Sequence, residues 1–190
     1  MPADPSHLIL LYVLMPLWFS AGIADWLCHR ASDIEHTAGA KESLIHLLMF
    51  GEVGAALVAG LLLDINALVI VFAFAMFFVH EATALWDVSY AVTRRRVSPF
   101  EQHVHSFLEM IPLMAALTIA ALHWPQALAA LGLGDEPARW EIARKPDPLP
   151  AAYVVTVLGA AFLIEFLPFV AELRRGLRAA GGRLVPDRHR

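Results

Sequence analysis

Five stretches of roughly 20 apolar residues, the length a helix needs to cross a bilayer core, constrain this chain more than any other feature. They fall at about 8–27, 43–63, 67–90, 104–123 and 151–171. With 58% of its 190 residues hydrophobic and 17% charged, and a mean hydropathy of +0.60, the chain departs from the composition of a soluble domain. The expected fold is all-α: an integral membrane bundle of five transmembrane helices, one domain over 1–190. MPADPSHLIL has no Lys or Arg before its apolar run, so the first segment lacks the basic start of a secretory signal and reads as a retained helix.

The breaks between the runs carry the topology. HRASDIEHTAGAKE is a polar loop, LLLDINAL a tight turn built on Asp64 and Asn66, and TRRRVSP a basic link whose proline suits a helix start. Residues 124–150 form an extramembrane segment with room for a short interfacial helix, and 172–190 a basic tail. With the N-terminus outside and the C-terminus cytoplasmic, every basic residue except Arg139, Arg144 and Lys145 falls on the inner side, as the positive-inside rule favours. A bacterial-type inner membrane is the expected location. The net charge is −4 and the arginines are clustered, which gives nucleic-acid binding no support.

Against this apolar background, ionisable residues collect at one depth. Asp25 and His29 close the first span on the inner side, Glu42 and His46 open the second, His80 and Asp87 lie in the inner half of the third, and Glu101, His105 and Glu109 in that of the fourth. Asp25/His29, Glu42/His46, Glu101/His105 and His105/Glu109 are spaced i,i+4, and His80/Asp87 i,i+7, so each pair shares a helix face. Charges inside a bilayer cost several kcal/mol unless they face a bundle interior and find partners. Converging carboxylates repel unless a cation lies between them. Two divalent metal ions, bound by Asp25, His29, Glu42, His46, His80, Asp87, His105 and Glu109, with Glu101 as a substitute acid, meet that need. The single cysteine, Cys28, rules out thiolate clusters, and mixed His/carboxylate ligation suits iron first, then manganese or zinc.

Neighbouring residues receive lesser roles. Glu81, offset from His80, and His103 are positioned to orient ligands. Arg94, Arg95 and Arg96 read as a topology signal able to hold an anionic headgroup. Glu35 and His36 belong to a solvated loop, and His7, His123 and His189 lie apart from the cluster. Glu165 is placed to face the bundle as a proton route, and Glu172 to pair with Arg174 or Arg175.

The pairs DWLCH, ESLIH and HSFLE, set in a helical bundle, resemble the arrangement of non-haem di-iron helical-bundle oxygenases. Each is one residue longer than the Glu-x-x-His of soluble members, and the HxxxH and HxxHH boxes of membrane desaturases are missing; the resemblance covers roughly Asp25 to Glu109. It implies a di-iron oxidoreductase using O2 to hydroxylate, desaturate or otherwise oxidise a lipid-like substrate at the inner leaflet, with a cytoplasmic electron donor. Two alternatives use the same residues: a zinc-dependent membrane lipid hydrolase, and a haem-binding electron carrier with ligands such as His46 and His105. A transporter would need polar residues continuing outward, and the outer halves of the spans are nearly devoid of them.

Overall fold

The computed structural model describes residues 4–186; Arg188, His189 and Arg190 of the basic tail lie outside the described residues. Among those described, the regular structure is helical. Helix α1 (Pro5–Ala31) is followed by α2 (Ala40–Leu62), α3 (Ala67–Ala91), α4 (Pro99–Leu122), the short α5 (Trp124–Ala130) and α6 (Ala151–Ala179). All but α5 are long and apolar enough to cross a membrane.

The helix starts follow from local chemistry. Asp4 accepts a hydrogen bond from the Ser6 amide ahead of Pro5. Asn66 caps α3 by accepting from Val69 N at 3.2 Å. Ser98 and Glu101 form a reciprocal capping box around Pro99, satisfying amides that would otherwise be orphaned. This box explains why α4 begins five residues before the apolar run: hydropathy ignores a polar first turn, whereas hydrogen bonding does not. The same holds where α1 and α6 run past their apolar stretches to Ala31 and Ala179. Both of these helices contain a π-helical stretch, Leu10–Leu14 in α1 and Ala161–Phe166 in α6. The Tyr153 hydroxyl of α6 donates to the Leu11 carbonyl in the first of them at 2.7 Å.

The segment after α5 folds back onto the α2–α3 turn. Asp64 N donates to Ala143 O at 2.8 Å, and Leu63 and Arg144 form an isolated antiparallel bridge. Gln126 accepts from the amides of Ala67 and Arg139. An apolar cluster of Ala59, Ile65, Val69, Ile70 and Ala120 fills this end; Leu10, Leu14, Trp18 and Ile111 fill the middle.

At the opposite end, near the loops at 32–39 and 92–98, α6 docks tightly on the start of α2. A Cβ at Gly176 would lie 2.8 Å from Ala40 N and 3.0 Å from Ala40 Cα, so only glycine permits this approach. Gly176→Ala is expected to cost about 1–3 kcal/mol, the range for overpacking, read as a lowered unfolding midpoint in detergent; an unchanged midpoint would mean that this contact is not closed in the protein.

Candidate metal centre

Each long helix turns a stripe of residues spaced three or four apart towards the bundle axis near the end formed by loops 32–39 and 92–98. On α1 the stripe is Trp18, Gly22, Asp25 and His29; on α6 it is Glu165, Phe169, Glu172 and Gly176, all of them buried. Such spacing keeps side chains on one helix face. With α2, α3 and α4 supplying Glu42, His46, Asp87, Glu101 and His105, the result is a buried layer drawn from all five long helices.

His29, fully buried, lies at its centre. Its Nε2 is 3.4 Å from Asp25 and 3.9 Å from Glu101, and its Nδ1 is 3.4 Å from Glu172, yet neither ring nitrogen makes a hydrogen bond. Its ring stacks on that of His46, with centroids 4.4 Å apart, and Phe169 packs against both. Around this pair the hydrogen bonds join different helices. His105 Nε2 donates to Asp25 at 2.9 Å, His46 Nε2 donates to Asp87 at 3.0 Å, and the Ser43 hydroxyl donates to Glu172 at 2.9 Å. The other nitrogens of His46 and His105, and one oxygen each of Asp87 and Glu172, have no hydrogen-bond partner.

Among the described residues, Arg95 brings a fixed cation into the layer. Arg95 Nη2 reaches Glu42 at 2.5 Å and Glu101 at 2.6 Å, and its Nε also donates to Glu42 at 3.1 Å. Burial acts to lower the Arg95 pKa, but the hydrogen bonds and charges of Glu101 and Glu42 outweigh it and raise it further. The three consecutive arginines therefore divide. Arg95 is an internal counter-ion rather than a headgroup contact, while Arg94 lies over the Tyr90 ring and Arg96 is exposed. Glu42 and Glu101, expected as metal ligands, spend part of their charge on this guanidinium.

Among the described residues, Asp25, Asp87 and Glu172 pair with histidines and with no Lys or Arg, so the layer can take imidazolium or bound cations. Two groups of side chains bring possible ligand atoms within 4.8 Å of one another: Asp25, His29, Glu101 and His105, and His29, Glu42 and His46. His29 belongs to both. The donor set is His and carboxylate without thiolate, Cys28 being a half-buried free cysteine.

The remaining expected ligands stand apart from these groups. His80 and Glu109 line a chamber of about 80 Å³ beside the layer, together with Asp25, His46, Asp87 and His105. His80 is two helical turns from Asp87, about 10 Å along the axis, and belongs to neither ligand group. Its neighbour is Glu52, at 3.9 Å, which accepts from Thr83 at 2.8 Å. Glu52 and Glu172 are the acids that sequence reasoning missed or misplaced. A lone Glu inside the apolar run FGEVGAALVAG marks Glu52, because intramembrane acids are functional by default. Glu172 was expected to pair with Arg174 or Arg175, but Arg175 faces Glu35 at 3.6 Å instead. His103 is exposed and packs on Phe107, Glu81 is half-buried away from the layer, and His36 bonds Asp33 in the exposed loop.

An apolar cavity of about 110 Å³ adjoins the chamber, sharing Trp18 and Val53 with it and otherwise lined by residues such as Leu14, Leu57, Met76 and Ile111. A broad groove between α2 and α6, bordered by Gly51, Gly54, Phe162 and Phe166, reaches the chamber at Trp18 and Phe50. Compared with family models, curated proteins and solved structures, the chain matches none.

Proposed function

We propose that this protein is a membrane-bound dimetal oxidoreductase, with iron as the favoured metal, acting with O2 on a lipid-like substrate. The observation that carries the reading is His29, buried with both ring nitrogens unbonded and shared by two potential ligand groups. Unbonded buried polar atoms are costly, and a metal ion gives them partners. The donors present fit iron, manganese or zinc. Iron at such a site would supply O2 activation, and electrons would come from a cytoplasmic donor.

The protein's own residues would do the rest. Asp25, His105, His46 and Asp87 hold one another in place across four helices, so that ligand orientation is set before a metal arrives. The apolar walls around Trp18, Leu57 and Ile111 exclude water and accept a hydrocarbon segment next to the polar chamber. The groove between α2 and α6 offers a lateral route from the bilayer. We place the site at the cytoplasmic leaflet of a bacterial-type inner membrane, N-terminus outside, because Arg30, Lys41, Arg94, Arg95 and Arg96 cluster at that end; Arg94 and Arg96 there are free to meet anionic headgroups.

The test is O2 uptake by reduced, iron-loaded protein in nanodiscs of host lipid, followed by mass analysis of the lipids. The expected result is substrate-dependent uptake with a lipid gaining oxygen or losing hydrogen. A zinc-loaded protein that cleaves a lipid ester or amide without O2 would replace this reading with the hydrolase, for which zinc held by the same residues would supply the activation of water.

A further inference from the structure

Of the acids lining the chamber, Glu165 stands out because the fold makes room for it. It is 4% exposed, sits within the π-helical stretch Ala161–Phe166 of α6, and leaves its Oε1 without a hydrogen-bond partner. Its carboxylate occupies the position that a side chain at residue 22 would need: a Cβ built on Gly22 would collide with the Glu165 carboxyl group. Gly22 is one turn before Asp25 on the same face of α1, so the Glu165 carboxylate lies over the backbone next to Asp25. π turns are rare and recur at functional sites, where they re-aim a side chain.

A buried, unpaired carboxylate in an apolar wall is expensive, and nothing among the described residues neutralises this one: Arg95 is committed to Glu42 and Glu101. Asp25, which lines the same chamber, adds repulsion. The chamber, about 80 Å³, has room for an ion and a water molecule. We propose that Glu165 is a metal ligand contributed by the fifth span, binding a divalent first-row transition ion in the chamber with Asp25, Asp87 and His105, and that Gly22 is glycine because this carboxylate must reach past it. The proposal rests on the metal reading above and assigns α6 a direct part in the site.

Full-length protein in detergent, stripped of metal, is titrated with cobalt(II) and followed by its visible absorption. Wild type is expected to bind with a defined d–d spectrum. Glu165→Gln, which keeps the shape of the side chain, is expected to weaken binding at least about 10-fold and to change the spectrum. Gly22→Ala, which displaces the carboxylate, is expected to do the same, and Glu165→Asp to restore part of the affinity. The metal-free unfolding midpoint of Glu165→Gln serves as the check on folding. Wild-type affinity and spectrum in a folded Glu165→Gln variant overturn the proposal while leaving the metal centre intact. Failure of wild type itself to bind cobalt overturns the metal reading and this proposal with it.

Discussion

Arg95→Met should lower the stability of the metal-free protein by about 3–5 kcal/mol, the loss expected when one partner of a buried ion pair is removed and its counter-charges stay behind. Here two counter-charges stay behind, Glu42 and Glu101, at 2.5 and 2.6 Å from the same guanidinium nitrogen. Denaturant unfolding in detergent measures the loss. Replacing all three residues at once, as Arg95→Met with Glu42→Gln and Glu101→Gln, should recover most of it, since apolar or neutral substitutes for buried charge networks are often tolerated. A divalent cation should also rescue the single variant more than it stabilises wild type, because the freed carboxylates gain a partner and ligand binding to the folded state adds stability. A mild loss, below about 1 kcal/mol as for surface pairs, would show that Arg95 is solvated in the protein.

The second large effect is expected at His29. Losing a residue that merely orients a ligand costs about 10–100-fold in metal affinity, and His29 is common to both ligand groups, so His29→Ala should weaken metal binding by about 100-fold or more. His80→Ala is the comparison. It lines the chamber but belongs to neither group, and should leave loading within a few-fold of wild type. Equal losses in the two variants would show that His29 contributes no more to metal binding than a residue outside both ligand groups.

These two residues also show what the sequence could and could not convey. The i,i+4 pairs Asp25/His29 and Glu42/His46 were legible because helical spacing alone puts both members on one face, and depth in the bilayer follows from distance to the span ends. His80 illustrates the limit of face arguments: sharing a face with Asp87 says nothing about the 1.5 Å rise per residue, which over seven residues separates the two by about 10 Å along the axis. Arg95 was not legible among three consecutive arginines, since which of them turns inward depends on the path of the loop between α3 and α4. For Glu172 the better signal was present. Phe169 three residues before it and Gly176 four after mark the packed face of α6, whereas Arg174 lies two residues away on another face and Arg175 reaches Glu35 instead. Gly22 and Glu165 belong to different helices, and only the packed bundle brings them together.

The most direct test of the central claim, that this buried layer of imidazoles and carboxylates holds metal, is elemental analysis of the detergent-purified protein expressed in metal-replete cells. The account predicts about two first-row transition ions per chain, iron foremost, and a reduced metal content in His29→Ala. Folded wild-type protein that is free of metal, as stable as after incubation with iron, manganese or zinc, would contradict it.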